Sequence, residues 1–394
     1  MHSLEAARAL IAGACHPLPP ERVPLALALG RVLRESVAAR EDFPAFDRSA
    51  FDGYALRAAD APGPLRVVAE IPAGSAPTID LAAGECARIF TGAQLPAGAD
   101  AILMQEDCHR EGDSVSQLST LNSKLVPWHG VRRRGEDAAV GDVLLHRGTR
   151  LGAVETSLLA QLGHTAPLVG TVPRIFHVVT GSELVPPDET PALGKIRDSN
   201  TTLVAGLAAA FGASITARRA GDDLPTLLAA LGSEPDFGWD VLLISGGASV
   251  GDYDFGARAL GELGFSIQFS QVNLRPGKPL IFATRGRQLA FVIPGNPLSH
   301  FVCWHVAIRA ALEMLTTGET ALPLFTVVAD SALPGNPRET WWPARLSIAE
   351  GRAVAVPLKW RSSGDMTAIG DADLLLRIPT AIAAGGLVDA LRIS

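Results

Sequence analysis

Three loops in the second half of this chain combine backbone, hydroxyl and cationic groups in patterns that could hold an anion. Ser245-Gly246-Gly247-Ala248-Ser249-Val250-Gly251-Asp252-Tyr253-Asp254 directly follows the apolar run Val241-Leu242-Leu243-Ile244. Its glycines permit positive φ and close approach of a ligand, and consecutive N–H groups can form an anion-binding nest. Ser245 and Ser249 add hydroxyls. The loop lacks the Lys-Ser/Thr ending of a P-loop and the spacing of a dinucleotide loop, and a strand-to-helix turn with serine caps is the competing reading. In Asn273-Leu274-Arg275-Pro276-Gly277-Lys278-Pro279, two prolines and a glycine stiffen a turn that presents Arg275 and Lys278. That suits a phosphate or oxyanion; solvated surface charge is the alternative. Pro294-Gly295-Asn296-Pro297 opens a helix whose N-terminus carries partial positive charge, or is simply a helix start.

Carboxylates accompany these loops. Asp47-Arg48-Ser49-Ala50-Phe51-Asp52-Gly53-Tyr54 sets two acids beside a turn glycine, and Asp-Gly by itself reads as a structural turn. Glu183 and Asp198 each follow a loop near the expected crevice, and Asp222 begins a helix. Acids around an anion cradle are what a Mg²⁺-bridged phosphate needs, since Mg²⁺ takes oxygen ligands and keeps several waters. Each acid alone also reads as a cap or surface residue. Arg132-Arg133-Arg134-Gly135-Glu136-Asp137 is the densest basic run. The histidines form no metal set, because His300 and His305 are five apart and do not share a helix face as an H-E-x-x-H pair would. A serine hydrolase would need a G-x-S-x-G elbow, which is missing.

The elements that must position these residues alternate. From about 173 to 316, strand-like runs (175–179, 214–216, 241–244, 265–268, 280–282, 289–293) interleave with helical stretches (203–211 capped by Asn200, 224–231, 257–263, 298–315). This is the pattern of a doubly wound α/β domain, with its ligand crevice at the carboxyl ends of the strands. Earlier, short apolar runs (87–89, 101–104, 143–145) separated by Gly, Pro and Asp read as small β-rich domains. The tail after Pro323 is again β-like (325–328, 353–356, 374–378).

The 394 residues exceed one ordinary core and fit two to four domains. A formal net charge of -7 argues against general nucleic-acid binding, so positive charge for an anion must be gathered locally. Cys15, Cys86, Cys108 and Cys303 form no C-x-x-C pair, which fits a reducing cytoplasm without disulfides or a zinc knuckle. Residues 1–18 read as an amphipathic helix capped by Ser3, not a signal peptide, and no uncharged run is long enough to span a membrane.

Taken in order, the motifs resemble the molybdopterin molybdotransferase family, the bacterial MoeA proteins and the E domain of gephyrin. They are S-A-F-D-G-Y (49–54), I-F-T-G-A-x-L-P-x-G-A-D (89–100), V-R-R-R-G-E-D (131–137), T-G-S-E-L (180–184), I-R-D-S-N (196–200), S-G-G-A-S-V-G-D-Y-D (245–254), R-P-G-K-P (275–279) and P-G-N-P (294–297). The match spans nearly the whole chain.

The resemblance implies a multidomain α/β protein: a doubly wound molybdopterin-binding domain at 171–317, a discontinuous N-terminal domain at 1–43 and 134–170, an inserted β-rich domain at 44–133, and a C-terminal β-barrel at 318–394. It implies a cytoplasmic homodimer that takes adenylylated molybdopterin and molybdate, inserts the metal and releases AMP with Mg²⁺, and that serves other molybdenum cofactor enzymes. On that reading Asp52 and Glu183 match acids used in catalysis, and Thr91 and Asp137 match other active-site positions. Asp222 and Asp254 are the Mg²⁺ candidates. Ser245, Gly246, Gly247, Ser249, Gly251, Arg275, Lys278, Pro294, Gly295, Asn296 and Ser363 are the expected substrate-binding residues. The dimer would bring Asp52 and Thr91 of one subunit to the α/β cleft of the other.

The chain departs from the family pattern at several positions. Phe51 stands for Met, Ser182 for Asp and Arg275 for Lys, the last keeping charge but changing donor geometry. In Arg338-Glu339-Thr340-Trp341-Trp342-Pro343, Pro343 occupies the place of an Arg, with Arg345 two residues on as a substitute, and Ala372-Asp373-Leu374 replaces Ala-Asn-Gly. The alternatives are a diverged pterin-binding carrier or scaffold without catalysis, and the preceding adenylylating enzyme.

Overall fold

The strand-like runs between 174 and 293 assemble into one six-stranded sheet, in the order Ser214–Ala220, Arg174–Thr180, Val241–Ser245, Gln288–Ile293, Ile281–Arg285, Ser266–Phe269. The computed structural model describes residues 1–118, 125–232, 238–247 and 255–393. The first four strands are parallel, and every residue of Val241–Ser245 is buried because the sheet is covered on both faces. The other two strands are antiparallel. Only Gly286 and Arg287 separate Arg285 from its partner Gln288, and a two-residue loop can join only antiparallel neighbours.

Strand alternation sorts the core into two layers. Leu243 and Phe291 face one, with Val302, Ile308 and Leu312 of the C-terminal helix and Leu4, Ala7 and Ile11 of the first helix. Leu242, Ile244 and Val292 face the other, with Leu227 and Leu260. The first helix is Leu4–Ala14, capped by Ser3, whose Oγ accepts from the Ala6 N–H at 3.1 Å. Helix Asn200–Phe211 begins one residue earlier than the sequence suggests: Ser199 is its N-cap, and Asp198 accepts from Thr201. Asn200 is thereby free for another contact. The expected long last helix is continuous but contains a π-helical turn, Trp304–Ile308, between Pro297–Cys303 and Arg309–Thr317.

The C-terminal strands close into a five-stranded barrel. Strand Glu339–Ala349 pairs with Arg352–Pro357 on one side and Leu374–Ile378 on the other, and Leu324–Ala329 and Leu387–Arg392 complete the ring. Strand Leu274–Arg275 of the α/β region also pairs, in parallel, with the start of Glu339–Ala349. These elements lie in one compact unit, Met1–Arg34 with Arg150–Ala153 and Ala166–Ser394; the second unit is Glu35–Thr149 with Val154–Thr165. The second unit contains a six-stranded sheet built around Gly53–Leu56, Glu85–Ile89 and Leu65–Ile71. Tyr54 and Leu56 face one of its cores, and Ala55 the other.

No helix among the described residues is long and apolar enough to cross a membrane.

Candidate functional site

Strand register brings the loops to one edge of the α/β sheet. Val179 pairs with Ser245 and Ser245 with Ile293, so the segments after Thr180, Ser245 and Ile293 leave the sheet at the same level. Gly246 has φ +94°, and a Cβ there would lie 2.4 Å from Thr180 Oγ1. Only glycine lets these two loops approach so closely. The Asn200 side chain, freed from capping, donates to the Gly295 carbonyl at 2.8 Å and ties the I-R-D-S-N segment to P-G-N-P.

Beside this edge, a cleft of about 410 Å³ opens against the barrel. Arg275, Lys278, Pro294 and Asn296 line it from the α/β side, joined by Arg338, Arg361 and Ser363 from the barrel side. Four cations therefore face one space, with no carboxylate among the described lining residues. None of the four has an ion-pair partner among the described residues. In a chain of net charge -7 this is a strong local reversal, and its size suits a small ligand with an anionic group. Arg275 is fixed at two points: its backbone pairs with Thr340, and its guanidinium lies 5.0 Å over the Trp360 ring. Gly277, at φ +108°, packs where a Cβ would meet Cys303 Sγ at 2.6 Å, so the turn that presents Lys278 is tightly seated. The Ser363 carbonyl accepts from Leu298 N at 3.0 Å, which joins the barrel loop to the start of the helix after P-G-N-P.

The other expected residues are distributed differently. Ser245 is turned inward, 1% exposed, with its hydroxyl 2.6 Å from both His177 Nε2 and His300 Nε2. What the strand end can offer a ligand is thus backbone at Gly246 and Gly247. Glu183 and Asp222 are exposed and do not line the cleft. Asp222 Oδ2 accepts from Ser182 N at 2.6 Å, bracing T-G-S-E-L against the start of the next helix. Ser249, Gly251, Asp252 and Asp254 lie outside the described residues. In the second unit, Asp52 Oδ1 accepts from Thr91 N and Thr91 Oγ1, both at 2.8 Å. These bonds hold its carboxyl below the usual range, so it is ionised at neutral pH. Asp137 is exposed and engaged apart from them, by Arg132.

The basic run 132–134 is not a free cationic patch. Arg132 pairs with Glu136 and Asp137, Arg134 pairs with Asp42, and Arg133 lies 4.5 Å over the Trp128 ring. Each charge is answered within a few residues, or by the neighbouring turn. Conversely, Arg338, Trp360 and Arg361 belong to the cleft although none of them was among the expected substrate-binding residues. Their signal is the crossing of the barrel by strand Leu274–Arg275, which no local periodicity reveals. Arg345, the expected substitute for the arginine replaced by Pro343, is exposed on its strand and does not line the cleft. Among the described residues no cluster of three His, Cys, Asp or Glu side chains could hold a metal ion by itself.

Comparisons with known proteins agree with this architecture. Residues 2–163 match the MoeA N-terminal region (domain I and II), and residues 177–314 match a probable molybdopterin binding domain. Molybdopterin molybdenumtransferase of Bacillus subtilis (strain 168) is 32% identical over 372 residues, covering 91% of this chain and 86% of that protein. The protein of the same name from Nostoc sp. is 36% identical over 346 residues, covering 84% of this chain and 78% of that protein. The crystal structure of the molybdopterin biosynthesis moea protein from Pyrococcus horikosii superposes with a TM-score of 0.82 at 29% identity, covering 99% of this chain and 98% of that one. With both halves of the chain matched in order, and relatives above 30% identity over most of their length, the chain belongs to the molybdopterin molybdenumtransferase (MoeA) family of molybdenum cofactor biosynthesis.

Proposed function

We propose that the chain inserts molybdate into adenylylated molybdopterin and releases AMP, and that the cleft between Lys278 and Ser363 receives the oxyanion. The observation that supports this best is the set of four cations around one cavity of about 410 Å³, with no ion-pair partner and no lining carboxylate among the described residues. A doubly charged oxyanion and a phosphate need such a wall, because burying either without cations would cost several kcal/mol per charge. Arg275 supplies a planar fork and Lys278 a compact ammonium, so the pair can hold a tetrahedral oxyanion from two directions. Asp52, ionised and held by Thr91, can accept or steer a proton. Glu183 is the second acid in the reading, and Asp137 would act through Arg132.

Mg²⁺ would be held by Asp222 and Asp254. Asp222 has a carboxylate oxygen, Oδ1, without a hydrogen-bond partner among the described residues, which suits an ion that ordinarily takes one or two carboxylates with the rest from waters and substrate phosphates; Asp254 lies outside the described residues. The ion's contribution when bound is to neutralise phosphate charge. The four-domain division, the homodimer and the cytoplasmic setting belong to the same reading.

The carrier alternative was motivated by Pro343. Arg338 and Arg361 weaken it, since they keep the barrel side of the cleft cationic without that arginine. Purified protein given adenylylated molybdopterin, Mg²⁺ and molybdate should release AMP and yield cofactor that activates an apo-molybdoenzyme. Absence of AMP release at every molybdate concentration would overturn the assignment.

A further inference from the structure

Behind the cleft lies a polar cluster that the reaction does not use. His177, on strand Arg174–Thr180, is 0% exposed; Ser245 and His300 are each 1% exposed. The serine hydroxyl sits 2.6 Å from Nε2 of both imidazoles, and His300 Nδ1 lies 3.1 Å from the Asn296 carbonyl. His177 Nδ1 is buried without a partner among the described residues.

The partners fix where each proton sits. A carbonyl only accepts, so His300 Nδ1 must carry a hydrogen and its Nε2 is bare. That bare nitrogen accepts the single proton of the Ser245 hydroxyl. Ser245 Oγ then accepts from His177 Nε2–H, which leaves His177 Nδ1 bare. The orphaned atom found at that position is the one this order requires. Both rings are neutral: burial, more than any other influence, pushes His177 down to about 3 and His300 down to about 4, against the opposing pull of Asp198.

We infer that His177, Ser245 and His300 form a one-directional hydrogen-bond relay that holds the Asn296 carbonyl, making His300 a positioning residue for the oxyanion cleft. This rests on the cleft reading given above. Asn296 lines the cleft, its side chain makes no capping bond, and Pro297 has no N–H to give. Its carbonyl instead accepts from both His300 N and His300 Nδ1, each at 3.1 Å. The loop's orientation at the cleft therefore depends on the His300 tautomer, and the tautomer depends on Ser245. The His177 end carries less: without it, Ser245 still donates to His300.

The test separates the relay from the reaction. In ¹⁵N-histidine NMR of the intact protein, His300 should be the Nδ1–H tautomer and His177 the Nε2–H tautomer, with neither titrating between about pH 5.5 and 8. Molybdate alone, titrated by calorimetry, should bind about tenfold more weakly to His300→Phe, the loss of one buried hydrogen bond. His300→Asn keeps an N–H donor near the Nδ1 position and should recover most of that loss, while His177→Phe should bind like wild type. An Nε2–H tautomer at His300, no rescue by Asn, or equal damage from His177→Phe would each overturn the inference. Failure of AMP release with these tautomers and this binding pattern intact would instead count against the proposed reaction.

Discussion

Replacing His305 by phenylalanine tests how the π-helical segment tolerates a histidine in the core. His305 is 6% exposed, stands edge-on to Phe301 at 4.6 Å and 68°, and has no hydrogen-bond partner for either ring nitrogen among the described residues. Burial, and next the nearby Arg309 charge, push its pKa down to about 4. The unfolded chain has the ordinary value near 6.5, so above that pH both states are neutral and the ring is not linked to stability. As pH falls below 6.5 the unfolded state takes up the proton and the folded state does not. Stability is then lost progressively until about pH 4, where the folded ring also charges. Between pH 8 and pH 5 this amounts to about 2 kcal/mol from His305 alone. His305→Phe keeps the aromatic contact and removes both unpartnered nitrogens. Urea unfolding followed by tryptophan fluorescence, at one protein concentration and ionic strength, suits the measurement: Trp239, Trp304, Trp341, Trp342 and Trp360 share a unit with His305. The variant should lose about 2 kcal/mol less than wild type on going from pH 8 to pH 5. An equal loss in the two proteins would refute the claim that His305 is held neutral.

Three further outcomes are expected. Gly277→Ala should cost about 1–3 kcal/mol and weaken molybdate binding, because the new Cβ meets Cys303 Sγ at 2.6 Å and φ is +108°; an unchanged melting temperature would contradict this. Lys278→Ala, Arg338→Ala and Arg361→Ala should each weaken calorimetric molybdate binding, whereas Arg345→Ala should leave it unchanged. Iodoacetamide on the native protein at pH 8 should modify Cys108 well before the others. Burial pushes the Cys15 and Cys303 thiols up to about 12 and Cys86 up to about 11, and mass spectrometry after a short pulse would show the order.

Local chemistry made much of this fold readable in the sequence. The run Val241–Ile244 is a buried strand with a glycine turn behind it, Ser3 caps the first helix, and Arg275 and Lys278 share a cleft with Asn296. What escaped was set by long-range packing. Strand Glu339–Ala349, the longest in the barrel, was read only as a broken motif, because it contains a proline and its two tryptophans interrupt the alternation. Trp341 is fully buried, whereas Trp342 spans the edge to bond the Leu358 carbonyl at 2.7 Å. No local pattern shows Arg338 and Arg361 sharing a site with Arg275, Lys278 and Asn296, because those three residues lie more than forty positions earlier in the chain. The charge density of the basic run at 132–134 is visible in sequence, but its pairing with Asp42, some ninety residues away, is not.

The pairing of Leu274–Arg275 with Glu339–Thr340 has an evolutionary consequence. Because one hydrogen-bonded seam aligns the two walls, an oxyanion bound in the cleft as proposed would respond to their combined charge and not to which wall supplies it. A cation can then drift from one domain to the other over time while the total is kept. Pro343 in place of the arginine of the family pattern is tolerable on these terms, and a chimaera that exchanges only the barrel should be judged by the summed charge it restores.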